Sequence, residues 1–215
     1  MCGRLVSGSD ERSWREWVEI LRPRVVAPPP PERGARPSDE LAVFLGDRGT
    51  ETVEIAAARW GLQLPGDDRL FFNTRLETVE RRFKEEVRDH RALVPVSAFQ
   101  IAEGRAGDRD RARHLVHGER ALLLAGLWTA GAHGAPPRVS VLTRQARGDL
   151  AALHARTPVF VPAALARGWL VGADVHALVT ELLALEDPPL SVGPATRSAR
   201  PARERGAPRR QLSLL

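Results

Sequence analysis

The chain opens Met-Cys-Gly-Arg, and Cys2 is its single cysteine among 215 residues. Removal of the initiator methionine, usual ahead of a small residue, leaves Cys2 with a free α-amine beside its thiol. Ordinary pKa values are about 7.7–8.0 for such an amine and about 8.5 for the thiol, so each has a reactive fraction near neutrality. A 1,2-aminothiol condenses with an aldehyde to an imine, and the thiol then closes a thiazolidine ring. That second step is intramolecular, so its effective concentration is very high. Alternatively the amine acts as the thiol's own base, as in N-terminal nucleophile hydrolases. A cysteine so near the start can equally be an accident, and its partners have to come from elsewhere in the chain.

Two stretches offer them. In "FFNTRLET" (Phe71–Thr78) Asn73 and Arg75 alternate along an extended segment and leave one face together. An amide beside a guanidinium suits an amine or a phosphate, although an Asx turn explains Asn73 as well. In "LHARTPVFV" (Leu153–Val161) His154 precedes a strand, with Arg156 two residues on. A histidine titrates near neutrality and serves as general acid or base near a thiol or imine, but a lone one is commonly a surface or satisfied core residue.

The surrounding composition limits the setting. Net charge is +5, carried by arginine with one lysine, Lys84, and there is no tyrosine. A GC-rich genome gives that bias, and arginine's planar fork also suits phosphate. One cysteine excludes an internal disulfide and a cysteine-built zinc site, which points to the reducing cytoplasm. No apolar run approaches the ~18 residues of a membrane span, and the first residues do not resemble a signal peptide.

The elements that must position these residues read as follows. Trp14, Trp17, Val18 and Leu21 form one stripe of a helix capped by Ser9 or Asp10. Residues 22–40, with their proline run, read as a surface loop. From Leu41 the runs "LAVFL", "VEIAAARWGLQLP", "RALVPVSAFQIAE", "RHLVHG", "RALLLAGLWTAG" and "RVSVLTRQ" read as strands. "ETVERRFKEEV" reads as one helix among them, and after Ala146 the pattern is helical apart from "RTPVFV". Strands in the middle with helices at the ends predict an α+β fold, a single β-rich domain over residues 1–195 with a mixed or antiparallel, barrel-like sheet. The Arg/Pro-rich stretch 196–215 reads as a mobile tail.

"MCGR", "RWGL" (Arg59–Leu62), "NTRLET" (Asn73–Thr78), "LVPVSAF" (Leu93–Phe99), "AGLW" (Ala125–Trp128) and "HARTPV" (His154–Val159) occur in an order and spacing that resemble the SRAP family of SOS response-associated peptidases, or abasic-site processing proteins. The resemblance implies that Cys2, freed of Met1, attacks the ring-opened aldehyde of an abasic site in single-stranded DNA and forms a thiazolidine crosslink. It implies that Asn73 positions the Cys2 amine, that His154 is the catalytic histidine, and that Arg4 and Arg75 bind phosphate. Arg59 and Arg156 are candidate DNA contacts. Trp60 and Trp128 match positions that are either core or base-stacking; Trp128 reads as core, and Trp60 joins the DNA-binding set. A monomer without metal or cofactor is expected, near the nucleoid.

The chain departs from the family where the family keeps its proton-transfer glutamate. "PVSAFQIA" (Pro95–Ala102) has Ile101 in the glutamate's place and Ala102 in that of the following tryptophan. Glu103 lies on the same strand face, ~6.6–6.8 Å further along, as a candidate substitute. "RVVAP" stands where the family has Tyr-Asn before Ala-Pro. Three alternatives remain from the sequence: a non-catalytic single-stranded DNA-binding module, a cysteine peptidase that removes its own leading residue, and a class II glutamine amidotransferase, whose chains also begin Met-Cys-Gly.

Overall fold

In the computed structural model, residues 3–25, 32–103 and 112–195 are described. The first stretch folds as its periodicity requires. Helix α1 (Glu11–Leu21) starts at Asp10, whose carboxylate accepts the Ser13 N–H at 2.8 Å and the Ser13 hydroxyl at 2.6 Å. A cap of this kind stabilises by about 1 kcal/mol. Trp14, Trp17 and Leu21 are buried, and Trp14 stacks on Phe44 with centroids 5.0 Å apart. Both tryptophans are core.

Strands follow in the order β1 (Arg4–Ser7, before α1), β2 (Arg33–Ala35), β3 (Glu40–Asp47), β4 (Thr52–Trp60), β5 (Asn73–Arg75), β6 (Arg91–Ala102), β7 (Arg113–Gly118), β8 (Leu122–Thr129), β9 (Arg138–Gln145), β10 (Arg156–Pro158) and β11 (Leu190–Pro194). All join one mixed sheet. Pairing is antiparallel except that β4 and β5 run parallel to β9. The pairs β3–β4, β4–β9, β9–β8, β8–β6 and β6–β3 close a circuit. Only two residue pairs join β3 to β6 and two join β4 to β9, so the circuit is a pinched ring, the barrel-like sheet expected but not a true barrel. β1, β2, β7 and β11 extend it beyond β6.

The stretch expected as one helix is broken. A 3-10 turn (Leu76–Thr78) leads into α2 (Val79–Arg82) and α3 (Lys84–Asp89), with Phe83 between them out of helical geometry at φ −131° and ψ 49°. Its ring is buried edge-on against Phe71, 5.2 Å between centroids, so core packing overrides helix continuity there. The expected loop over residues 22–40 also contains β2, which pairs with β1; residues 26–31, including most of "RVVAP", lie outside the described residues. "RTPVFV" is strand only through Pro158, and β11 is an addition the sequence pattern did not show. The tail assignment for 196–215 lies outside the described residues.

After β9 come α4 (Gly148–Leu153), α5 (Ala163–Val171) and α6 (Val175–Ala184). Two apolar clusters result. One joins Trp14, Phe44, Leu93 and Val79 to Trp169 and Leu182 of the later helices. The other gathers Leu5, Trp60, Phe99, Ile101, Val141, Leu150 and Phe160. Arg91, at the start of β6, is fully buried. It donates to Val87 O and Arg88 O at the end of α3, at 2.8 and 3.0 Å, and to Trp169 O and Gly172 O at the end of α5.

Candidate functional site

Cys2 lies outside the described residues; the chain becomes describable at Gly3, which is exposed with open space around its Cα. Arg4 then pairs with Gln100 and Leu5 with Phe99 across the β1–β6 ladder. Directly opposite residues on antiparallel strands share a face. Leu5, Phe99 and Ile101 point into the second apolar cluster, with Ile101 only 1% exposed. Arg4 and Gln100 are half-buried on the other face.

Asn73 stands on a firmly held segment. The Phe72 carbonyl before it accepts the Val141 N–H at 3.1 Å and the Trp60 indole N–H at 2.7 Å. Thr74 turns inward, its hydroxyl 2.8 Å from that of Ser140, and the Thr143 hydroxyl donates to Thr74 O at 3.2 Å. The inward Thr74 leaves Asn73 half-buried and Arg75 exposed on the outer side. Trp60 is a correction: it is fully buried, and with its N–H spent on Phe72 O it offers no face to a base. Its part is to fix the backbone from which Asn73 projects. Trp128 likewise donates its N–H to Gly46 O, at 3.0 Å.

His154 terminates α4. Its Nδ1 lies 2.9 Å from the Arg156 backbone N–H, which it accepts with the ring proton on Nε2, and 3.2 Å from Arg156 O. Arg156 is also a correction, because its guanidinium is committed internally. It makes a two-pronged pair with Glu77, 2.7 Å on each side, and donates to Thr143 O. Glu77 also accepts the Gln145 N–H at 3.0 Å, which ties the segment after Asn73 to β9 and β10 together. Burial alone raises the Glu77 carboxyl, but the hydrogen bonds from Arg156 and the backbone outweigh it and hold the pKa below the ordinary value. A depressed carboxyl stabilises the fold above its unfolded pKa of about 4.3 and loses that contribution as pH falls through the folded value. Glu77→Gln is therefore expected to cost about 1 kcal/mol at pH 7, discounted for solvent screening, and progressively less as pH falls below the ordinary carboxyl range. Urea unfolding of both proteins at a series of pH values from 7 downward checks this.

These pieces meet through one apolar cluster. Leu5, next to Arg4, and Ile101 lie in it; Phe72, next to Asn73, and Leu153, next to His154, pack against it. Glu103, just past β6, hydrogen-bonds through its carboxylate to Nε2 of His114, which sits opposite Ile101 on β7. Arg59 is exposed at the end of β4, between Glu40 and Arg138 on the neighbouring strands. A cleft of about 280 Å³ lined by Ser13, Trp17, Arg120, Phe160 and Glu186 contains none of these candidates. Among the described residues no three His, Cys, Asp or Glu side chains gather as a metal site, and no helix is long and apolar enough to cross a membrane. Sequence reasoning missed Glu77 and His114. Their signals are register and pairing, which exist only after folding.

A pinched mixed sheet on which an N-terminal strand, an asparagine segment and a histidine loop pack against one cluster defines a single α+β domain. The family model described as "SOS response associated peptidase (SRAP)" matches residues 1–194, and the chain belongs to that family. The fold is similar to that of a phage-related protein from Bordetella bronchiseptica, 28% identical, over 90% of this chain and 94% of that one, with a TM-score of 0.70. A second Bordetella bronchiseptica protein is 20% identical over 91% and 100% of the two chains, TM-score 0.66. A Bacteroides thetaiotaomicron protein is 13% identical over 91% and 93%, TM-score 0.66. No protein of curated function matches significantly. Membership ties the chain to the response to DNA damage.

Proposed function

We propose that the chain is an abasic-site processing protein that crosslinks to single-stranded DNA through Cys2 once Met1 has been removed, acting as a monomer on DNA in the cytoplasm. The observation that carries this reading is the shared cluster: Leu5, Phe72 and Leu153, the neighbours of Arg4, Asn73 and His154, all pack on one apolar floor in a chain of this family. In the proposed reaction the Cys2 amine adds to the aldehyde carbon and gives a carbinolamine. The hydroxyl leaves as water, taking one proton, and an imine remains. The thiol sulfur adds to the imine carbon while the thiol proton passes to the ring nitrogen, so one water is released overall. Asn73 orients the amine, and the Nε2–H of His154 supplies a proton to the departing hydroxyl. Glu103, paired with His114 on the Ile101 face, takes over the duty of the family glutamate. Arg75 and Arg59, both exposed, accompany the strand. Self-removal of Met1 is compatible with the same thiol and with the peptidase in the family's description.

The test is a denaturing gel and intact mass of the purified protein after incubation with abasic single-stranded DNA. The expected result is a covalent band, lost in Cys2→Ala, with a mass equal to protein without Met1 plus DNA minus one water. An unshifted wild-type protein, or an equal band from Cys2→Ala, overturns the proposal. A second reading, a non-catalytic single-strand binder, is favoured by one observation, the apolar Ile101 in the glutamate's place. It calls for binding that high salt reverses completely and that Cys2→Ala leaves intact.

A further inference from the structure

The backbone of Arg156 offers His154 two opposite hydrogen bonds. Between β9 and β10, Ala155 O accepts the Ala146 N–H at 3.0 Å, and the next pair is Arg156 opposite Gln145. Bonded and unbonded pairs alternate along antiparallel strands, so the Arg156 N–H and C=O turn away from β9. Both meet the imidazole: Nδ1 lies 2.9 Å from the N–H and 3.2 Å from the oxygen. The first bond needs the ring proton on Nε2, and the second needs it on Nδ1. The bond made at one ring nitrogen decides which form is present. A shift of a few tenths of an ångström in Arg156 thus separates a ring that donates through Nε2 from one that does not.

What holds that backbone in place is the Arg156 side chain. Its guanidinium grips Glu77, 79 residues away, with two bonds of 2.7 Å, and such a fork fixes orientation as well as distance. It also donates to the Thr143 hydroxyl at 3.3 Å, which in turn donates to Thr74 O at 3.2 Å, next to Asn73. Glu77 is held from its own side. It is the middle residue of the 3-10 turn after β5, where Leu76 is buried, and its carboxylate accepts the Gln145 N–H at 3.0 Å. The ring of His154 and the backbone of Asn73 are therefore referred to one carboxylate.

We infer that Glu77, acting through Arg156, is a positioning residue that selects the Nε2–H tautomer of His154 and keeps that ring in register with the Asn73 segment. This rests on the proposed function, in which that Nε2–H protonates the departing hydroxyl, and it gives Glu77 a part in the reaction beyond its part in stability. A glutamine at position 77 turns an N–H₂ group toward the guanidinium and opens the fork. The Arg156 C=O then competes with its N–H for Nδ1.

The tautomer is read without DNA, from the nitrogen-15 shifts of the His154 ring in the full-length protein, assigned with His154→Gln. The pH is set above the imidazole range of about 6.5 so that the ring is neutral. The wild type is expected to carry the proton on Nε2. Glu77→Gln, and Arg156→Lys, which keeps the charge without the fork, are expected to populate the Nδ1–H form. Crosslinking is then timed with protein in excess over abasic single-stranded DNA, where every variant is folded. Glu77→Gln is expected to lower the maximal rate by about 10-fold, within what general acid catalysis contributes, and to leave the half-saturating concentration unchanged. In a His154→Gln background the same substitution is expected to slow the reaction no further, because no tautomer is left to select; a merely structural role slows both backgrounds alike. Unchanged His154 nitrogen shifts in Glu77→Gln, or equal slowing in the two backgrounds, overturns the inference. A wild type that forms no crosslink overturns the proposed function instead, and the nitrogen shifts still report whether Glu77 sets the tautomer.

Discussion

Arg91→Ala is expected to bring the protein close to unfolding, with a loss of about 4 kcal/mol or more in urea titrations. Arg91 is fully buried, and its guanidinium serves four carbonyls, two at the end of α3 and two at the end of α5. The last carbonyls of a helix have no partner within it. Each buried acceptor left unsatisfied costs about 1–3 kcal/mol, set against a whole stability of about 5–15 kcal/mol. Burial, with a smaller contribution from Arg48, pushes the Arg91 pKa down to about 10, which measures how far from water the charge is held. Hydrophobic replacement of a buried charge is mild only when its partners are replaced too. Here the carbonyls are backbone and stay. Arg91→Met, which fills space without donating, is therefore expected to recover little, and Arg91→Lys only part, because a point ammonium cannot span two helix ends. A Met variant as stable as wild type overturns this account.

The consequence reaches the site because Arg91 opens β6, the strand that carries Ile101 and pairs with β1. Nothing in "RALVPVSAFQIA" distinguishes Arg91 from a surface residue. A charge among apolar residues reads as a strand end, and its burial depends on two helices distant in sequence. Arg144 is the same case: it is buried in β9, donates to the carbonyls of Leu182 and Leu185, and pairs with Asp187. By contrast α1 was legible to its cap, because Asp10, Trp14, Trp17 and Leu21 encode it locally. The site was legible as types in order, Asn73 with Arg75 and His154 with Arg156. It was not legible as geometry. The turn of Arg156 toward Glu77 and the burial of Trp60 follow from β9 meeting β5 and β4, far away in sequence, and the pairing of Glu103 with His114 follows from the register of β7 on β6.

Ile101→Glu is expected to raise reaction rate and lower stability, and the two effects separate by pH. Ile101 is 1% exposed among Leu5, Phe99 and Val116, so a carboxyl placed there is pushed above its ordinary value of about 4.3 by desolvation. The folded protein then holds the proton more tightly than the unfolded chain. Stability is at its best below about pH 4.3 and falls as pH rises toward the raised folded value, by about 1.4 kcal/mol for each unit of difference. A shift of two units thus costs about 3 kcal/mol at neutrality, beyond the loss of the isoleucine side chain. If the cluster is the floor of the crosslinking site, the same carboxyl stands where the family keeps its proton-transfer glutamate. General acid–base catalysis contributes about 10²–10⁴-fold, so formation or reversal of the crosslink is expected to quicken by about 10²-fold at temperatures where the variant stays folded. Glu103→Gln is then expected to slow the wild type and to leave the Ile101→Glu protein nearly unaffected, because the new carboxyl has made the distant one redundant. Equal rates in wild type and Ile101→Glu, with the stability loss present, mean that the face carrying Ile101 does not meet the reacting atoms. The assignment of Glu103 and His114 to proton transfer falls with it.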